Sequence, residues 1–128
     1  MRFPASRILD KVNSGDYSLT LSEQQFLKHI EGTKQFEEYK KIRLEKGGNP
    51  QSVLLVDKEK AQEIIRIRAG TGIIRSDRKG ERPVEDINCH FVVGRYFGNG
   101  KYHETTKVAI HYGKKSSHIV PIRGDNFD

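Results

Sequence analysis

"ETTKVAIHYGKKSSHIVPI", residues 104–122, decides the fold. Apolar and polar residues alternate on both sides of a Gly-Lys-Lys-Ser turn, which reads as a β-hairpin. Successive side chains in a strand point to opposite sides, so Lys107, Ala109 and His111 share one face while Val108, Ile110 and Tyr112 share the other. His111 therefore points away from the more apolar row. A turn of two or four residues centred between Lys114 and Lys115 pairs residues whose numbers sum to 229, which sets His111 opposite His118. Directly opposed Cβ atoms lie about 4.5–5.5 Å apart. A three-residue loop shifts the register by one and sends the two histidines to opposite faces. Both registers are open at this level.

Outward from the hairpin, three more β segments precede it: "GIIRS" (72–76), "PVEDINC" (83–89) and "HFVVGRYFG" (90–98), with turn signals at Asp77–Gly80 and Gly98-Asn99-Gly100. Before Gly72 the periodicity is helical. "TLSEQQFLKHI" (20–30) offers Ser22 or Thr20 as N-cap and carries Leu21, Phe26, Leu27 and Ile30, with Gly32 as its stop. "TKQFEEYKKIRLEKGG" (33–48) starts at the N-cap Thr33, places Phe36, Tyr39 and Arg43 or Leu44 at helical spacing, and ends in Gly47-Gly48. In "DKEKAQEIIRIRAG" (57–70) Asp57 caps, Ala61, Ile64, Ile65 and Ile67 form the stripe, and Gly70 terminates. "SVLLV" (52–56) between them reads as a strand. Residues 1–20 show weak periodicity and several turn formers, so they read as a lead-in or linker to one domain over 21–128. Helices placed ahead of sequential β segments with short links predict α+β, N-terminal helices followed by an antiparallel sheet.

Composition limits what such a domain can be. Its 128 residues suit one core, and a 34% hydrophobic content with mean hydropathy −0.71 makes that core thin and the surface well solvated. No apolar run approaches the roughly 20 residues of a membrane span, and Met1–Gly15 lacks the apolar centre of a signal peptide; no membrane partner is expected. Cys89 is the single cysteine, which excludes an intrachain disulfide and a cysteine-rich metal site. The five histidines show no spacing of the HExxH kind, so neither a metal nor a small-molecule cofactor is expected. Charge is uneven. From Arg66 to Arg123 there are twelve Lys/Arg against five Asp/Glu, whereas residues 1–65 hold eleven against ten. A basic half-domain with pI near 9.5 suits a polyanion such as RNA or DNA, because phosphate contacts supply most sequence-independent affinity; a solvated surface that binds nothing is the plain alternative.

Two histidines beside two lysines have a natural chemistry. Cleavage of RNA by its own 2′-hydroxyl needs a base of near-neutral pKa, an acid for the leaving 5′-oxygen, and cations on the phosphate. Histidine supplies both proton roles, and lysine supplies charge. Either histidine alone reads more simply as a hydrogen-bonded strand residue; together on a basic hairpin they are candidates for catalysis. "AGTG" (69–72) most simply ends a helix and begins a strand, with close approach to a phosphate as the other reading. Tyr96, Phe97, Tyr102 and Tyr112 are open to base stacking or to cross-strand packing.

The ordered set "KHIEGT" (28–33), "AGTG" (69–72) and "ETTKVAIHYGKKSSHIVP" (104–121) resembles the polymorphic toxin type 50 domain, a module at the C-terminus of bacterial polymorphic toxins and of some phage minor head proteins. The last motif is close to the family's "IHYSKxGxHIVP" pattern, with Gly113 and Ser117 in place of the usual serine and glycine. The resemblance implies a ribonuclease toxin in the fold grouping of barnase, EndoU, colicin-type tRNases and RelE, where helices precede a curved antiparallel sheet. Carried over by motif, it points to His111, His118, His29, Lys114, Thr106 and Tyr112 as catalytic residues. By the same motif Lys28 is a substrate-binding candidate; Lys107 and Lys115 join it from the basic hairpin and Ser117, where the chain departs from the pattern, as a group to orient phosphate, while Pro121 reads as an edge-strand marker. His29 alone also reads as a charge placed near a helix C-terminus. The activity implied by the resemblance is metal-independent cleavage of RNA, possibly tRNA, in inter-bacterial competition or phage–bacterial conflict. It further implies a cognate immunity protein, a secreted or virion-associated parent polypeptide, and action in the target-cell cytoplasm. The alternative is a non-enzymatic module that binds nucleic acid or a partner.

Overall fold

The computed structural model describes Ala5 and residues 7–76 and 82–124. Among these residues four helices, α1 (Arg7–Asn13), α2 (Glu23–Leu27), α3 (Lys34–Glu45) and α4 (Lys58–Arg68), accompany seven strands. The strands are β1 (Val53–Leu54), β2 (Ile73–Ser76), β3 (Pro83–Asn88), β4 (Gly94–Gly98), β5 (Lys101–Thr105), β6 (Lys107–His111) and β7 (His118–Pro121). The fold is α+β, as the order of helical and alternating segments predicts. The expected turn Asp77–Gly80 lies outside the described residues.

Caps form where the side chains allow them. Ser22, Thr33 and Asp57 each accept a hydrogen bond from the backbone N–H three residues on, which satisfies one of the donors that a helix start leaves open. In α4 the buried stripe is Ala61, Ile64 and Ile65, continued by Ala69. Ile67, expected in that stripe, is 62% exposed; two residues beyond Ile65 it lies roughly 200° around the helix. Leu44 of α3 is likewise exposed, and Arg43 takes the inward position at i+4 from Tyr39. The lead-in stretch also holds structure, because Ile8 of α1 is fully buried in the core and Tyr17 stacks on Tyr112 at 5.6 Å.

The strands form two antiparallel sheets, in the orders β1-β4-β5 and β2-β3-β6-β7. "ETTKVAIHY", which alternates as one strand, is two: the chain leaves one sheet at Thr105 and enters the other at Lys107. Side chains make this corner. Thr105 Oγ1 donates to Ile122 O and accepts from the Lys107 N–H, while Thr106 Oγ1 donates to Asn88 Oδ1. Segment 90–93, expected to extend β4, carries no strand, and His90 sits at φ 61°. The β4–β5 turn uses Asn99 and Gly100 at φ 52° and 80°, the backbone that a two-residue hairpin loop demands. Gly94 lets the two sheets meet: a Cβ there would lie 2.4 Å from Val53 O and 2.5 Å from Pro121 Cγ.

One face of the four-stranded sheet packs against the helices. Val108, Ile110 and Tyr112 of the β6 arm join Ile119, Ile87 and Ile74 with Ile64, Ile65 and Phe26 in a single core. The other face carries Ala109, His111, His118 and Val120. Register settles the alternative left open by the hairpin, since Val108 pairs with Pro121 and His111 with His118.

Candidate functional site

His111 and His118 do more than share a face. Their rings stack in parallel, with centroids 4.9 Å apart and planes 6° from one another. They line one side of a cleft of about 460 Å³ whose other walls come from α3, from segment 49–52 and from β4. The short α2 ends at Leu27, and the turn after it points His29 into the same cleft, 82 residues ahead of His111 in the chain. Three histidines from three separate segments therefore converge.

His29 is held firmly. Its Nδ1 lies 2.8 Å from Ser52 O, and a carbonyl can only accept, so Nδ1 carries a hydrogen and the neutral ring keeps its lone pair on Nε2. Tyr39 meets the ring edge-on at 6.0 Å. Burial lowers the His29 pKa to about 4; the bond to Ser52 opposes this, and the charges of Arg43, His111 and Lys28 add to it. His118 is lowered to about 3, again chiefly by burial and then by the charges of His111, His29 and Lys28. Both rings are therefore neutral at pH 7. A charge on His111 would act on both of these rings.

Cations flank this cluster. Lys28 Nζ sits 5.2 Å and Arg43 Cζ 5.5 Å from the centroid of the Tyr39 ring, within cation–π range. The Arg43 guanidinium is oriented by its bonds to Asn49 O at 2.8 Å and to the Tyr39 hydroxyl at 3.3 Å. Arg43 lines the cleft and was not singled out as a site residue from sequence. Its signal was present, since an aromatic and an arginine at i and i+4 share a helix face that the core does not use.

Other sequence candidates lie elsewhere. Tyr112 is buried on the core face and donates to Glu85 Oε1 at 2.6 Å, as expected of a residue one step out of phase with His111. Ser117 is fully buried; its hydroxyl donates to Ser18 O at 2.5 Å and accepts from the Gly113 N–H, which stitches the hairpin loop to the chain ahead of α2. Thr106 is spent on the sheet corner. Lys107, at the far end of β6 from the histidines, donates to Gly124 O at 2.7 Å. Lys114 and Lys115 are exposed at the hairpin tip and do not line the cleft. None of these six belongs to the histidine cluster, whereas Lys28 stands beside it.

The "AGTG" turn binds an anion, but an internal one. The Gly70 and Gly72 N–H groups donate to the two Glu85 carboxylate oxygens at 2.9 and 2.6 Å, and a Cβ on Gly72 would lie 2.2 Å from Asp86 O. The structural reading of that turn holds. Among the described residues, no three His, Cys, Asp or Glu side chains are grouped to hold a metal ion; imidazole lone pairs lie in the ring plane, so stacked rings do not aim them at one point. No helix of the described residues is long and apolar enough to cross a membrane.

The family model described as bacterial toxin 50 matches residues 21–121, a span running from just before α2 to the end of β7 that includes every histidine of the cleft. No curated protein and no solved structure matches the chain.

Proposed function

We propose that this chain, which belongs to the bacterial toxin 50 family, is an endoribonuclease toxin domain that cleaves RNA by proton transfer between histidines. The convergence of His29, His111 and His118 in one cation-flanked cleft carries this reading. Acid–base cleavage of a phosphodiester needs a neutral base, a charged acid and positive charge around the phosphate, all within hydrogen-bond reach of one phosphorus.

Roles follow from the environments. His29 is neutral with its tautomer fixed by Ser52 O, so Nε2 takes the proton of the attacking 2′-hydroxyl, its lowered pKa rising towards neutrality as a phosphate anion enters beside it. Burial keeps His118 neutral, which leaves His111, stacked on it at 4.9 Å, as the residue assigned to protonate the departing 5′-oxygen. The products are a 2′,3′-cyclic phosphate and a 5′-hydroxyl. Lys28 and Arg43 balance the charge that builds on the phosphoryl oxygens. The substrate is RNA, tRNA included, in the cytoplasm of a target cell reached through a secreted or virion-associated parent protein. The producing cell then needs an immunity protein, acidic where it covers the cleft.

The test is incubation of the purified domain with total RNA in EDTA. New fragments ending in 2′,3′-cyclic phosphate support the proposal, and RNA binding without cleavage returns the domain to a binding module.

A further inference from the structure

The cleft has one wall that proton transfer does not use. Phe97 of β4 lines it, pairs directly across the strands with Tyr102 of β5 and so shares its sheet face, and meets that ring edge-to-face at 5.2 Å; the Tyr102 hydroxyl donates to Gln51 O at 3.0 Å. Tyr96, one residue earlier, stacks on His103. Beside Phe97 runs the segment Asn49–Ser52, which lacks regular structure yet is tied down along its length. Asn49 O, Gln51 O and Ser52 O each accept from a side chain, and the Gln51 amide donates to Lys28 O and Phe36 O at 3.0 and 2.9 Å. With both amide hydrogens used, Gln51 Oε1 can only accept, and it is buried with no donor. Its burial keeps it out of a ligand's reach, so the cleft is offered the fixed edge of the segment rather than this oxygen. Asn49 is exposed at the same rim.

Size narrows what enters. A volume of about 460 Å³ falls within the ~300–1,000 Å³ typical of small-ligand sites, enough for a nucleotide and not for a double helix. Protein readers of RNA sequence engage unpaired bases that can be splayed out and stacked on aromatic rings, because the A-form major groove is too deep and narrow to read.

From this wall we infer that the substrate is unpaired RNA, with the nucleotide beside the scissile phosphate turned out of the stack so that its base rests on Phe97 along the Asn49–Ser52 edge. The inference rests on the nuclease reading and names its substrate class. A paired stem cannot deliver its phosphate to the histidines, since the base would have to leave its partner.

Two measurements separate this inference from the reading beneath it. The first compares cleavage of a hairpin RNA whose loop is unpaired with the same sequence annealed to its complement; the loop is expected to be cut at least about tenfold faster. The second titrates the wild-type domain with the four nucleoside 3′-monophosphates and with ribose 5-phosphate, following binding by NMR. Nucleotides are expected to bind about tenfold more tightly than the sugar phosphate, and Phe97→Ala, or Phe97→Leu if the first variant fails to fold, is expected to remove that advantage. Equal cleavage of loop and duplex, or ribose phosphate binding as tightly as nucleotides, overturns the base seat. Failure to cut any RNA sinks the nuclease reading instead, and the binding comparison still judges the seat.

Discussion

On the inner face of the β6 arm, Tyr112 donates to Glu85, and that buried carboxylate also collects the N–H groups of Gly70 and Gly72. One residue earlier, on the outer face, His111 stacks on His118 in a cleft where His29 and His118 are denied their charges by burial. The inner face buries a charged group only with three donors around it, so its polar groups serve the fold. The outer face sets two uncharged imidazoles beside a space that a ligand can enter. Access to an open cleft, rather than polarity or residue type, separates the two faces of this hairpin.

The largest expected effect tests that division directly. Alanine in place of His29 or His111 is expected to slow single-turnover RNA cleavage by about 10²–10⁴-fold, and His118→Ala less, since His118 supports His111 without passing a proton. Melting temperature should change little for His111→Ala and somewhat more for His29→Ala, which also strips Ser52 O of its donor. Glu85→Ala should do the opposite. It leaves two backbone N–H groups and a hydroxyl without their acceptor, each worth about 1–3 kcal/mol, so stability falls sharply while the rate per folded molecule stays put. A Glu85 variant that loses rate at full stability would dissolve the contrast between the faces.

Acid should expose the outer face next. Both lowered histidines titrate below 6.5 in the folded chain, so on acidification the unfolded chain takes up protons first. Stability is then whole above about pH 6.5 and is lost as pH falls towards about 4 for His29 and about 3 for His118. The slope is at most about 1.4 kcal/mol per pH unit per histidine. Thermal melts between pH 4 and 7 should show this slope in the wild type and a shallower one in His118→Gln. Equal slopes would mean that His118 is not the desolvated ring described here.

How much of this could be read from the sequence depends on how far each feature reaches through space. The hairpin register was legible as one of two choices, because alternation and loop parity are local. So was the inward turn of Tyr112, which shares the apolar row with Val108 and Ile110; motif resemblance placed it in the site against that phase. The Thr106 corner was hidden, since alternation runs unbroken through "ETTKVAIHY" while the hydrogen bonds that bend it come from Asn88 and Ile122. His29 could be named but not placed, as its position depends on α2 docking beside β7. Segment 49–52 left no sequence signal beyond Asn49-Pro50, because three of its anchors are backbone carbonyls, which every residue possesses. Arg43 depends on one of them.

The smallest expected effect concerns the lysines that lie outside both faces. Lys114 and Lys115 are exposed at the hairpin tip, beyond the cleft that holds the histidines. On the nuclease reading they would meet phosphates that flank the cut, where the contact supplies affinity and no proton. Each phosphate neutralised on a single strand contributes about 0.7 to the slope of log K against log salt. Lys114→Ala with Lys115→Ala should therefore flatten that slope by about 1.4 and leave cleavage at saturating RNA unchanged. Arg43→Ala makes the useful contrast: it sits in the cleft beside His29, so it should weaken binding and slow cleavage together. A salt slope that ignores the lysine pair would route the RNA away from the tip, over Lys28 and α3. A saturating rate that falls with the pair would instead extend the catalytic face along the hairpin to its turn.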